Sequence, residues 1–178
     1  MKLSLFNSSQ SQEVIELFTK VFSASEGEAE GQVIGSLVSD LIATTEQQDL
    51  IGFITISGED VVGSIFFSRL VVPSDNVAFI LSPVAIATNE QGKGLGQQLI
   101  NYGISHLKSL SVNLAFTYGD PNFYSKVGFS PISESIVKAP LKLSYPEGWL
   151  AQSLDGSSIK ALQGASQCVE ALNDQQYW

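Results

Sequence analysis

The 178-residue sequence predicts an α/β domain built on one mixed β-sheet with helices on both faces. Three observations carry this. Two helix-period stripes come first, three β-rich runs follow in succession, and strand and helix then alternate. Consecutive strands joined by short turns pair antiparallel, whereas strand–helix–strand units pair parallel, so the sheet must be mixed. The length is that of one domain, enough to bury about 70% of the unfolded chain's surface.

The elements follow in order. Lys2 to Phe6 alternates weakly and reads as a short strand. Ser9 to Phe22 reads as a helix, with Val14, Ile15, Phe18, Val21 and Phe22 on one face and Ser9 and Gln12 at capping-box spacing. Ser23 to Gly31 reads as an acidic loop, and Val33, Ile34, Leu37, Val38, Leu41 and Ile42 form the stripe of a second helix. Leu50–Ser57 and Val61–Val72 are β-rich runs around a Gly58-Glu59-Asp60 hairpin turn. Val77 to Ile86 is a third run, interrupted by Ser82-Pro83, where the missing N–H predicts a bulge or splay. Leu95 to Leu110 is helical and Val112 to Tyr118 is a strand. Asp120-Pro121 opens a short helix that Gly128 ends. Trp149 to Leu154 reads as one more strand. The expected division is a domain over residues 1–144 and an extension over 145–178 packed on it.

Composition narrows the function classes. Hydrophobic residues make up 44% and charged residues 15%, which argues against a disordered chain. No apolar run approaches the roughly 18 residues of a membrane span, and no apolar stretch near Met1 predicts a signal peptide. The single cysteine, Cys168, cannot form an intrachain disulfide and fits a reducing cytoplasm. Asp and Glu number 18 against 9 Lys and Arg, a net charge of −9, with Arg69 as the one arginine. Nucleic acid is therefore not an expected partner, and an anionic ligand must be held by local geometry.

The segment that carries chemistry is Val84-Ala85-Ile86-Ala87-Thr88-Asn89-Glu90-Gln91-Gly92-Lys93-Gly94-Leu95-Gly96. Its three glycines lie between an apolar strand and an amphipathic helix. They let backbone approach a ligand, and the free N–H groups and positive dipole end of the helix suit a phosphate or pyrophosphate. The P-loop pattern fails because Gly94 follows Gly92-Lys93. The dinucleotide fingerprint fails because its last position falls on Gln97 or Leu99. A strand-to-helix turn used only for close packing stays open on these residues alone.

Gln91-Gly92-Lys93-Gly94-Leu95-Gly96 resembles the Gln/Arg-x-x-Gly-x-Gly/Ala signature of the GNAT N-acetyltransferases. Asp120-Pro121-Asn122-Phe123-Tyr124-Ser125-Lys126-Val127-Gly128-Phe129 resembles the second landmark of that family, and Leu81-Ser82-Pro83-Val84-Ala85-Ile86 its fourth strand. The resemblance covers roughly residues 1–140. The Gly119-Asp120-Pro121 variant and the long extension are similar to the YhbS-like bacterial subgroup.

The resemblance implies a mostly antiparallel central sheet whose fourth and fifth strands splay around acetyl-CoA. It implies that Val84, Ala85 and Ile86 bind the pantetheine arm, and that Gln91, Gly92, Lys93, Gly94, Leu95, Gly96 and Gln97 surround the pyrophosphate. It brings Asn122, Phe123 and Lys126 to the cofactor and makes Tyr124 the general acid for the departing thiolate. The acceptor would be a small-molecule or peptidyl amine, near Glu28 and Glu30. The strand Val77 to Leu81 carries no Glu or His, so no side-chain base is assigned. Family members often pair, and the apolar residues of the extension would permit a homodimer. His106, Cys168 and Asp120 are read as structural, and no metal is implied. The alternatives are a module that binds acyl-CoA without turnover and an interaction protein with a packing-only loop.

Overall fold

The structure, a computed structural model, describes residues 1–178. Its elements are β1 (Lys2–Leu5), α1 (Ser11–Glu26), α2 (Glu28–Thr44), β2 (Leu50–Ser57), β3 (Asp60–Leu70), β4 (Ala78–Ile86), α3 (Leu95–Ser109), β5 (Leu114–Tyr118), α4 (Pro121–Tyr124), β6 (Ser130–Pro131) and β7 (Trp149–Ser153). The strands form one seven-stranded sheet in the order β1-β2-β3-β4-β5-β7-β6. β4 and β5 are the parallel pair of a mostly antiparallel sheet. The chain divides into two compact units, Met1–Phe67 with Pro83–Tyr102 and Ser68–Ser82 with Gly103–Trp178, and β3 and β4 each run from one into the other.

In the first unit, β3 separates two apolar layers. Phe66 turns toward α1 and meets Phe18 and Phe6 at ring distances of 6.2 and 5.3 Å. Gly63, of opposite parity, faces α3: a Cβ there would stand 2.8 Å from Ile86 Cδ1 and 3.5 Å from Leu99 Cδ2. Helices thus cover both faces of this part of the sheet.

Two local features differ from the sequence expectation. The capping box is formed by Asn7 and Gln10, not Ser9 and Gln12. Asn7 Oδ1 accepts the Ser9 N–H at 2.9 Å, and Gln10 Oε1 accepts the Asn7 N–H at 2.9 Å. The expected acidic loop over 23–31 is also replaced by helix. α1 runs to Glu26 and α2 starts at Glu28, with Gly27 alone making the corner at φ +102°. Glu28 and Glu30 therefore sit in the first turn of α2, where the helix dipole favours carboxylates. Gly31 does not end a loop. It lies inside α2 because a Cβ would stand 2.6 Å from the Thr19 carbonyl oxygen on α1.

In the second unit, β5 pairs with β4 over Ala78–Leu81 and Leu114–Thr117, and with β7 over its whole length. β7 comes from the segment read as an extension, and supplies the strand between β5 and β6. Trp149 at its start is fully buried, stacks on Phe116 at 5.1 Å and donates its indole N–H to the Val137 carbonyl at 2.9 Å. β5 begins at Leu114, two residues later than expected. The Val112 N–H is drawn back to the Leu107 carbonyl to close α3, with Ser111 at φ 59° making the corner. Asn113 then ties strand ends together: its Oδ1 accepts the Val77 N–H at 2.7 Å and its Nδ2 donates to Asp155 at 3.0 Å.

Candidate active site

The glycine-rich turn lies wholly in the first unit. β4 ends at Ile86, a 3-10 turn covers Thr88–Glu90, and α3 begins at Leu95. The Ala87 N–H donates to Val62 on β3 at 2.8 Å and so anchors the entry. Gln91 reaches back, its Nε2 donating to the Ile86 carbonyl at 2.9 Å. Gly92 and Gly94 adopt φ +75° and +77°, and a Cβ at either would meet nothing within 4 Å. Neither packing nor crowding therefore requires these two glycines. The left-handed backbone does, and it leaves open space on the outside of the turn.

At this end the Gln98 N–H donates to the Gly94 carbonyl at 3.1 Å, so the amides ahead of it precede the helical ladder. Gly92, Lys93 and Gly94 are exposed, Gly96 and Gln97 half-buried, and Leu95 is buried beneath the turn as its apolar anchor. Lys93 Nζ lies 3.0 Å from Glu90 Oε2, in a pair whose lysine side chain is 59% exposed. Upstream, Ala85 and Ile86 are buried and Val84 half-buried, and the pairing of β4 with β5 ends at Leu81↔Thr117, just before Ser82-Pro83.

The second motif lies wholly in the second unit. Asp120 caps α4 through the Asn122 N–H at 2.9 Å, Pro121 occupies its first turn, and Gly128 turns the chain out at φ +94°. Tyr124 follows as a half-buried ring, edge-on to Phe123 at 5.0 Å and to Phe129 at 5.9 Å. Burial pushes its phenol above the ordinary value. A hydrogen bond with Thr117 draws it partly back, and the Asp120 carboxylate adds to the rise. The phenol is thus kept protonated at neutral pH. Asn122 and Lys126 are exposed on the same short segment. Thr117, missed from the sequence, is fully buried on β5. A threonine at an interior position of an otherwise apolar strand was the available signal.

These two constellations accord with one comparison above all: the sequence model of the acetyltransferase (GNAT) family matches residues 11–129. The chain belongs to the GNAT acetyltransferase family. Its relatives within that family include the Escherichia coli K12 N-acetyltransferase YjhQ, itself uncharacterized, 26% identical over 168 residues that cover 91% of this chain and 88% of YjhQ. The crystal structure of the GNAT N-acetyltransferase YhbS from Escherichia coli in complex with CoA superposes with a TM-score of 0.83. It is 21% identical, and the match covers 98% of this chain and 92% of that one. A GNAT acetyltransferase from Brucella melitensis in complex with acetyl-CoA gives a TM-score of 0.75 at 19% identity, with 97% of each chain covered.

Arg69, His106, Cys168, Glu28 and Glu30 of this GNAT chain fall outside both motifs. Arg69 lies over the Phe79 ring at 4.6 Å, a cation–π contact within the second unit. His106 sits in the last turn of α3. Cys168 is half-buried, and burial pushes its thiol up, away from the thiolate a nucleophile requires. Glu28 is exposed and Glu30 half-buried at the start of α2. No helix is long and apolar enough to cross a membrane.

Proposed function

We propose that the chain is an acetyl-CoA-dependent N-acetyltransferase acting on a primary amine of a small-molecule or peptidyl acceptor. The observation that carries this reading is the turn at Gly92 and Gly94, whose positive φ leaves open space ahead of the α3 amides. A Cβ at either glycine would fill the space that a pyrophosphate needs, so the residues present fit the cofactor. Similar structures in complex with CoA or acetyl-CoA point the same way.

Acetyl-CoA, when bound, supplies a thioester that an amine attacks directly, releasing the acetylated amine and the CoA thiol. On this reading the amides of Gly92, Lys93, Gly94, Leu95 and Gly96 hold the pyrophosphate, with Gln91 and Gln97 at either end of the cradle. Gln91 also fixes the turn through the Ile86 carbonyl. Lys93, the exposed end of its pair with Glu90, exchanges that carboxylate for a phosphate oxygen. Val84, Ala85 and Ile86 bind the pantetheine arm through backbone groups beyond the end of the β4–β5 pairing. Asn122, Phe123 and Lys126 bind the cofactor from the second motif. Tyr124 holds a proton at its phenol oxygen for the departing sulfur, since burial keeps that oxygen neutral. Glu28 and Glu30 draw a cationic acceptor by charge.

Calorimetric titration with acetyl-CoA, with dephospho-CoA as control, followed by a panel of primary amines, tests this. Saturable one-site binding with turnover of at least one amine supports the proposal. Binding without turnover of any amine replaces it with a binding module, and no binding at millimolar cofactor discards the cradle.

A further inference from the structure

Tyr118 closes β5 one residue before the Gly119-Asp120-Pro121 turn, and four contacts converge on it. Its ring stacks on Trp178 at 5.9 Å with the planes 18° apart. Its hydroxyl oxygen accepts the Tyr145 N–H at 2.6 Å, lies 3.2 Å from Ser144 Oγ, and donates to the Trp178 carbonyl at 3.3 Å. Trp178 is itself anchored. It is buried, its indole N–H donates to the Leu172 carbonyl at 2.8 Å, and its carbonyl also accepts the Ser144 N–H and hydroxyl at 2.8 and 2.6 Å.

The turn held in this way delivers one backbone group to the second motif. The Gly148 carbonyl accepts the Gly119 N–H at 3.0 Å. Gly148 can approach because it has no side chain: a Cβ there would stand 3.0 Å from the Gly119 oxygen and 3.2 Å from Tyr118 Cε1. Gly119 in turn is bare where the Tyr124 ring lies, since a Cβ on Gly119 would stand 2.7 Å from Tyr124 Cε2. Residues 144–147 are all exposed, so the hydroxyl of Tyr118 buries no core through them. What its hydrogen bonds set is the place of Gly148, hence of Gly119, hence of the surface under Tyr124.

We propose that Tyr118 is a positioning residue for Tyr124, acting through the Gly148–Gly119 contact with Trp178 as its anchor. This rests on the reading of Tyr124 as the acid. Effective proton transfer demands placement within a fraction of an ångström, and a misplacement of about 1 Å costs on the order of a hundredfold in rate.

The test uses the full chain labelled with ¹³C at the tyrosine ζ carbons, the five signals being assigned by Tyr→Phe variants. Tyr118→Phe keeps the ring on Trp178 and deletes only the hydroxyl. The Tyr124 ζ signal is expected to shift, and its titration to move down toward the ordinary phenol value as water gains access. With an amine from the panel, kcat falls about tenfold while the acetyl-CoA Kd stays within about twofold. Trp178→Phe, which retains a ring for the stack, keeps the native signal, whereas Trp178→Ala reproduces Tyr118→Phe. Gly119→Ala, which pushes directly on Tyr124, shows how a displaced ring reads. A native Tyr124 signal and titration in Tyr118→Phe, beside a displaced signal in Gly119→Ala, overturns the proposal. So does a loss of cofactor affinity in proportion to kcat, which marks general loosening. The ζ signal needs no acceptor, so an unmoved signal (no positioning) is distinct from native kcat in Tyr124→Phe (no acid role).

Discussion

The Thr117 hydroxyl donates to the carbonyl of Leu81 at 2.9 Å, and these two residues are also the last register pair of the parallel β4–β5 ladder. A side chain thus closes the ladder at the point where β4 reaches Ser82-Pro83. Thr117→Val keeps the volume and removes the donor from a fully buried site. The expected cost is about 1–2 kcal/mol, read as a lower urea midpoint at unchanged m. An unaltered midpoint would show that the strands part here without help from Thr117.

Tyr124→Phe removes a proton donor and almost no contact area. Turnover at saturating substrate is expected to fall about a hundredfold, with acetyl-CoA affinity within about twofold of native. The folded phenol titrates above its ordinary value, so the neutral donor persists to higher pH than a free tyrosine would allow. The native enzyme should accordingly lose its rate only at a pH more alkaline than that at which a free tyrosine ionises. An alkaline limb below pH 9 that survives in Tyr124→Phe would assign the titration to another group.

Gly94→Val forces a β-branched residue into φ +77° and places methyl groups in the open side of the turn. The left-handed backbone costs roughly 1–2 kcal/mol in stability. Acetyl-CoA affinity is expected to weaken tenfold or more, measured by calorimetry on folded variant. Native affinity would remove the turn from the binding site.

Asp155 is fully exposed, yet hydrogen bonds from Ser157, Asn113 and Ser153 hold its carboxyl well below the usual carboxylate range. The folded value lies below the unfolded one. Its stabilisation is therefore complete above the unfolded value of about 3.9 and is lost as the pH falls toward the folded value. Thermal melts of native protein and Asp155→Asn should differ at pH 7 and converge as the pH drops from 4 to 2. A difference that does not change with pH would mean that charge at this turn is irrelevant.

Much of this protein is local and could be read along the chain. Helix and strand periods, the Gly58 hairpin, the Asp120-Pro121 start and the Gly128 stop depend on neighbours within a few residues, and the structure places them where the pattern put them. The two motifs are contiguous, so their residues were legible too. Other features were decided across long separations. The acidic stretch after α1 became helix because α2 packs Gly31 against Thr19 and Ser23 of α1, an interhelical contact that reverses the usual meaning of an interior glycine. The 145–178 segment became β7 and a buried Trp178 because Phe116 and Tyr118 offered rings to stack on. Thr117 and Tyr118 carry no motif of their own. The sequence by itself determined the order of elements and the two chemical segments. Only the tertiary structure decided which backbone Tyr124 rests on, because that surface is assembled from residues about 30 and 60 positions apart, Tyr118 with Gly148 and Trp178.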